Sequence, residues 1–330
     1  MNTLGKIFRI SVFGESHGPG IGLIIDGCPP GLGINDAKIM EDIDRRRSGR
    51  KGTTSRREYD MPEIVSGVFK GVSTGAPIMI MTRNTNTKPS DYDQFSAIPR
   101  PGHADMVARQ KYHGYADTRG GGHFSGRLTW GMVAAGSIAR LIIKPGRVNA
   151  KLLSVGGNTD VEAEIESVTA DHDSVGGLIE CIATGLPPGL GEPLNYSVES
   201  AISQAIFSIP AIKGIEFGSG FRAAEMRGSE HNDPVISKDG KTSSNNAGGI
   251  NGGISNGNDI VLRVAVKPPS SISKEQWTWN FEKDEVDMLK VEGRHDACIA
   301  IRIPVIVEAA VSIALADLLL INRAIYGGFE

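Results

Sequence analysis

Two seven-residue stretches, Gly-Cys-Pro-Pro-Gly-Leu-Gly at 27–33 and Gly-Leu-Pro-Pro-Gly-Leu-Gly at 185–191, stand 158 residues apart. Each follows a strand-like apolar run, Gly22 to Ile25 and Leu178 to Ala183. Each precedes a helical pattern, Asp36 to Arg47 and Val198 to Phe207, with a further strand beyond. A strand–turn–helix unit used twice predicts two related halves, about residues 1–150 and 151–330, inside one domain. A Pro-Gly turn is common chemistry, so chance recurrence is the competing explanation.

Periodicity supplies other elements. Val65 to Phe69 and Ile78 to Thr82 read as strands separated by the turn-rich Gly71 to Pro77. Asp105 is placed to cap a helix from Met106 to His113, stopped at Gly114. Ser125 is placed to cap a long helix running to Ile143, ended by Lys144-Pro145-Gly146. Asp259 to Val266 alternates as a strand does, and Pro304 sits at a favourable helix start. The pattern is mixed α/β, with no linker polar enough to separate independent domains.

Composition limits the function classes. The 330 residues carry a net charge of −3, so there is no global field for nucleic acid or an anionic membrane. Anion binding must then be local. Cys28, Cys181 and Cys298 are far apart and form neither a metal-ligand pair nor a disulfide framework, which fits a reducing cytoplasm. The first residues lack the basic-then-apolar pattern of a signal peptide. Ile303 to Ile321 approaches membrane length but carries Glu308 and Asp317, so a buried core or interface helix is expected.

Six glycine-bearing segments carry the chemistry. Residues 45–57, Arg-Arg-Arg-Ser-Gly-Arg-Lys-Gly-Thr-Thr-Ser-Arg-Arg, hold seven basic residues and no acid. Such a run is either a solvated basic loop, open to nucleic acid, or a guanidinium cluster for phosphate and carboxylates. Gly-Glu-Ser-His-Gly at 14–18 is not the G-x-S-x-G nucleophile elbow. Its histidine is either structural or approached closely by something between the glycines. In Arg-Pro-Gly-His-Ala-Asp at 100–105, the helix dipole favours a neutral His103 while Asp105 pulls the other way. His103 and Asp105 lack a third and fourth partner for a metal site, so no metal is expected. The run 120–127, Gly-Gly-Gly-His-Phe-Ser-Gly-Arg, is an anion-site candidate without a Walker ending. The asparagine- and glycine-rich 245–257 reads as a loop lining a ligand, and Gly-Arg-His-Asp at 293–296 is a salt bridge or a site. Taken together, they describe an enzyme of small-molecule metabolism that handles a phosphorylated, multiply anionic substrate.

With these residues in view, the chain closely resembles the chorismate synthases from about Gly5 to Leu320. The markers are Gly-Glu-Ser-His-Gly at 14–18, Arg-Pro-Gly-His-Ala-Asp at 100–105, Gly-Gly-Ile-Asn-Gly-Gly-Ile-Ser-Asn-Gly at 248–257, Lys-Pro-Pro-Ser-Ser-Ile at 267–272 and Gly-Arg-His-Asp-Ala-Cys at 293–298. The resemblance implies a carbon–oxygen lyase of aromatic amino acid biosynthesis, at the last common step of the shikimate pathway. The reaction is the 1,4-anti elimination of phosphate from 5-enolpyruvylshikimate 3-phosphate to give chorismate. It requires reduced FMN without net redox change, with NADPH only as an external source of reducing equivalents and a separate flavin reductase as a partner. The implied fold is two related βαβ-type halves with helices sandwiched between antiparallel sheets, assembled as a homotetramer, with no nucleic-acid or membrane partner.

The resemblance also implies roles by position. His17 corresponds to the acid that protonates the departing phosphate, His103 to the residue that protonates or hydrogen-bonds the flavin, and Asp296 to the carboxylate that manages the flavin proton. Arg46, Arg127 and Arg294 correspond to arginines that hold substrate or flavin phosphate. Arg50 or Lys51 takes the place of a further family arginine in a loop one residue shorter. Ser125, Ala211, Gly252, Lys267, Ser270, Ser271 and Arg294 fall at flavin-contact positions. The chain departs from the family at 123–129, where His-Phe-Ser-Gly-Arg-Leu-Thr stands for Arg-Ser-Ser-Ala-Arg-Glu-Thr. The alternatives are a phosphate-binding protein that keeps the fold without activity, and a basic-loop nucleic-acid binder.

Overall fold

A computed structural model describes residues 2–54, 59–86, 89–291 and 295–327. The first half contains β1 (Thr3–Leu4), β2 (Arg9–Gly14), β3 (Gly20–Asp26), α1 (Asp36–Arg46), β4 (Glu63–Ser66), β5 (Val68–Phe69), β6 (Val72–Ser73), β7 (Ile78–Arg83), α2 (Asp105–Lys111) and α3 (Thr129–Ile142). The second contains β8 (Arg147–Val155), α4 (Val161–Ala170), β9 (Gly177–Thr184), α5 (Val198–Phe207), β10 (Ile212–Phe217), α6 (Gly228–His231), β11 (Ile250–Asn251), β12 (Ile254–Ser255) and β13 (Ile260–Val266). A hairpin of β14 (Gln276–Asn280) and β15 (Glu285–Leu289) precedes α7 (Pro304–Tyr326).

Two antiparallel sheets enclose the helices. The first runs β1-β2-β3-β7-β4 and the second β10-β13-β9-β8. Alternation decides which face turns inward: Ile21, Leu23 and Ile25 of β3 are fully buried, as are Ile260, Leu262 and Val264 of β13. Helix α3 lies on the first sheet and packs against α1 and α7, while α7 lies on β8 and β9 beside α5. The layers are thus sheet, helices, helices, sheet. Gly136 of α3 lets the helices meet closely, since a Cβ there would stand 2.3 Å from Cβ of Ala309.

Apart from the short β1, the sheets share one connectivity: first and second strands adjacent, then the fourth, then the third. The Pro-Pro-Gly-Leu turns are also held identically. Ser73 Oγ donates to Pro29 O at 2.7 Å and accepts from Leu32 N at 2.9 Å, and Gly31 N donates to Ser73 O. In the other half, Ser255 Oγ donates to Pro187 O at 2.8 Å and accepts from Leu190 N at 2.9 Å, and Gly189 N donates to Ser255 O. Gly31 and Gly189 both take the left-handed conformation, at φ 89° and 93°. This shared latch supports reading the halves as copies of one unit, which we propose.

Helix α7 is, among the described residues, the one helix long and apolar enough to cross a membrane, and it is largely buried in the protein. Its two acids are compensated, one by ion pairs and one by backbone donors, as buried charge requires. Glu308 accepts from Arg45 at 2.7 Å and Arg140 at 2.9 Å, and Asp317 accepts from the backbone N–H groups of Lys6, Ile7 and Phe8. The three cysteines are buried thiols.

Three local expectations shift. Gly67, at φ 79°, splits the strand read over 65–69 into β4 and β5. Ser125 caps a short 3-10 turn, Gly126–Leu128, before α3 begins at Thr129. Asp105 opens α2 without capping it, because Arg100 and His103 occupy its carboxylate.

Candidate active site

Between the two halves lies a cavity of about 970 Å³, within the range of small-molecule sites. Arg46 reaches it from the end of α1, Arg127 from the turn before α3, and Arg302 from the turn before α7. Asp60 joins the first two. Its Oδ2 accepts from Arg46 Nη2 at 2.7 Å and its Oδ1 from Arg127 Nη1 at 2.6 Å. All three side chains are buried. Burial alone would raise the Asp60 carboxyl, but the two guanidiniums overrule it and hold it below the usual carboxylate range. Burial, with the positive charges of Arg302 and Arg127, lowers Arg46 to about 10 despite Asp60, so it stays charged at neutral pH. Nε of Arg46 and Nη2 of Arg127 are buried and find no hydrogen-bond partner in the described protein.

Asp296 also lines the cavity, accepting from Thr54 N at 2.7 Å and lying 3.3 Å from Arg302 Nη1. The basic loop therefore closes over the carboxylate of a segment more than 240 residues away.

His103 is held by its neighbours. Its Nδ1 lies 2.5 Å from Asp105 Oδ1, and Arg100 donates to the same carboxylate through Nε and Nη2, both at 2.8 Å. Burial works against this carboxylate's charge, yet bonds from Arg100 and His103 hold it far below the ordinary range. A carboxylate only accepts and stands at 2.5 Å, so Nδ1 is assigned as the donor, the 3.0 Å approach of Arg100 Nη2 to the same nitrogen is then a contact and not a hydrogen bond, and Nε2 is left for chemistry. A neighbouring wall is built by Lys267, whose Nζ donates to Ser270 Oγ at 2.7 Å, while Ser270 Oγ donates to Gly102 O and Ser271 accepts from Arg100. Burial and the charge of Lys213 lower the Lys267 ammonium. His103 and Asp105 thus spend themselves on each other and Arg100, and among the described residues no group of three or more side chains could hold a metal ion.

His17 is buried, one residue behind the cavity wall. Its ring meets Tyr92 edge-on at 5.1 Å between centroids, and Ser16 Oγ lies 3.3 Å from its Nδ1. Gly120 covers it so closely that a Cβ would stand 2.0 Å from Nδ1. Tyr92 and Gly120 both line the cavity. A second small core of Phe95, Leu289 and Val291, under the β14–β15 hairpin, supports the turn that carries Tyr92.

The cavity therefore gathers Arg46, Arg127, His103, Asp296, Ser125, Ala211, Lys267, Ser270 and Ser271 of the expected residues. Arg50 is exposed in a turn closed by Thr53, and Lys51 pairs with Glu166, so neither lines it. Gly252 is exposed at the turn of the β11–β12 hairpin and does not line it. Arg294, with Arg56 and Arg57 of the basic run, lies outside the described residues. Sequence reasoning missed Asp60, Tyr92, Lys213 and Arg302. Only Arg302 had a signal, a lone cation two residues before the proline that starts the apolar helix.

Comparisons with known proteins agree along nearly the whole chain. The family model described as chorismate synthase matches residues 8–320. A protein of Chitinophaga pinensis named chorismate synthase is 55% identical over 98% of both chains. One of Korarchaeum cryptofilum with the same name is 45% identical over 96% of both. A solved structure titled as the crystal structure of chorismate synthase superposes with a TM-score of 0.74 at 27% identity, covering 96% of this chain and 93% of that one.

Proposed function

The chain belongs to the chorismate synthase family, and from that premise we propose how its residues divide the work. The reaction is the elimination of phosphate from 5-enolpyruvylshikimate 3-phosphate to give chorismate, a lyase step of the shikimate pathway. The observation that carries the assignment of roles is the convergence of Arg46, Arg127, Arg302, His103 and Asp296 on one cavity.

The substrate bears a phosphate and two carboxylates, and guanidinium groups bind such oxyanions with matched pairs of N–H donors. Arg46, Arg127 and Arg302 are assigned to this task. Their charge is compensated only in part by Asp60 and Asp296, and an anion would satisfy the buried donors that the protein leaves unpartnered. His17, one residue behind the wall at Tyr92 and Gly120, is assigned from its position in the family's motif as the acid for the leaving phosphate, lowering the charge that departs. His103, with Nδ1 committed to Asp105, holds or releases a proton at Nε2. Asp296, oriented by Thr54 N and Arg302, is assigned as the proton acceptor.

Reduced FMN fits the same cavity. Phe124, Ile209, Ile299 and Ile303 offer apolar surface for a flat ring, and Lys213, Lys267, Ser270 and Ser271 offer cations and hydroxyls for a phosphate. We assign Ser125, Ala211, Lys267, Ser270 and Ser271 to hold it. When bound, it supplies electron density to the electron-poor allylic centre of the substrate. The proposal includes a homotetramer in the cytoplasm, with FMN reduced by a separate enzyme.

The test is anaerobic incubation of the protein with 5-enolpyruvylshikimate 3-phosphate and chemically reduced FMN. Release of phosphate with stoichiometric chorismate is expected. Silence from folded protein would remove the reading.

A further inference from the structure

Asp60 belongs to none of the motifs that mark the family in this sequence, yet it is the hinge of the arginine cluster. Its carboxylate receives Arg46 on one oxygen and Arg127 on the other. Arg127 is fixed from a second side, since its Nε donates to Asn84 Oδ1 at 2.6 Å. Asn84 is itself anchored, donating to the backbone oxygens of Glu15 and Gly18 beside His17. The backbone of Asp60 is pinned too. It holds a left-handed conformation at φ 52°, and its carbonyl accepts from Trp130 Nε1 at 3.1 Å. Trp130 is fully buried.

A buried carboxylate that only balanced charge would need neither a pinned backbone nor a separate anchor for its partner. Two guanidiniums repel each other, and without a shared acceptor they would splay. One carboxylate between two cations leaves a single net positive charge, with buried N–H donors still unused on both arginines.

Resting on the functional reading above, we infer that Asp60 is a positioning residue: its carboxylate sets the mutual orientation of Arg46 and Arg127 so that together they grip one dianionic oxyanion, the phosphate ester of the substrate. It acts through the arginines and does not touch the reacting atoms.

Two substitutions separate position from charge. Asp60→Glu keeps the charge and moves the carboxylate by one methylene, whereas Asp60→Asn keeps the shape and removes the charge. Binding of inorganic phosphate, by calorimetry, and steady-state turnover are measured for both and for wild type. Positioning predicts that Asp60→Glu weakens inorganic phosphate about tenfold or more and lowers kcat/KM about 100-fold. Asp60→Asn should also bind phosphate more weakly. Simple charge balance predicts the reverse for Asp60→Asn, since losing a negative charge beside an anion site tightens binding, and predicts wild-type behaviour for Asp60→Glu. Either result overturns the inference. Should Asp60→Asn fail to fold, Asp60→Glu decides alone, because it keeps the buried charges paired. A silent wild type would sink the functional reading and leave the phosphate-binding comparison standing. An active wild type matched by Asp60→Glu in both measurements would sink only this inference.

Discussion

Nδ1 of His103 donates to Oδ1 of Asp105 across 2.5 Å, and the same carboxylate is gripped through two nitrogens of Arg100. The imidazole is thereby locked in one tautomer, with Nε2 left to act. Asp105→Asn keeps the volume but replaces an obligate acceptor with an amide that can present either end. We expect kcat to fall by about 100-fold or more with a cooperative melt retained. A variant that turns over like wild type would show that His103 does not need Asp105.

Gly120 covers His17 with bare backbone. It has φ 62°, and a Cβ there would stand 2.0 Å from Nδ1 of His17 and 2.7 Å from Oγ of Ser16. Gly120→Ala must displace the histidine and should abolish most turnover without removing any proton-transfer group. Steady-state assays decide. Unchanged kcat would place the acid elsewhere.

Two carboxyls of the site contribute to the acid limb of stability. Asp60 and Asp105 are both held below their ordinary value of 3.8. The unfolded chain therefore binds protons before the folded chain does, and unfolding becomes easier as pH falls. The stabilisation is complete above the ordinary carboxylate range and is lost as pH drops through the folded values. Urea titrations at stepped pH should show this slope, and Asp105→Asn should flatten it. A variant with the wild-type slope would contradict the assignment.

The repeated latch predicts matched penalties. Ser73→Ala and Ser255→Ala each remove one hydroxyl that serves a carbonyl and an N–H in its own half. Each should cost about 1–3 kcal/mol, measured by denaturant midpoint. A large loss in one half and none in the other would weaken the case for a shared unit.

Gly136→Ala tests the helix contact. Its new Cβ would lie 2.3 Å from Cβ and 2.5 Å from Cα of Ala309, so the α3–α7 spacing must open. We expect a loss of about 1–3 kcal/mol by thermal or urea unfolding. Full stability would mean that the helices slide apart freely.

The elements that could be placed from sequence are those whose own residues carry the pattern. Helix α5 spans the predicted Val198 to Phe207, α1 ends one residue short, β3 and β9 follow from apolar runs, and β13 follows from alternation. Ser125 and Asp105 were harder. Ser125 does cap, through Arg127 N, but it caps a 3-10 turn ahead of α3, whereas the carboxylate of Asp105 is taken by Arg100 and His103.

The chain order of apolar and polar residues determined by itself that a strand–turn–helix order would occur twice, that the last helix would be buried and that several glycine-bounded cationic loops would form, because side-chain periodicity and turn chemistry act over a few residues. Only the tertiary structure decided that Arg50 and Lys51 turn outward, that Gly252 does not line the cavity, and that Asp60 and Arg302 enter the cluster. A carboxylate selects its guanidinium by distance through space and by the water that folding excludes, and neither is a property of neighbouring positions in the chain.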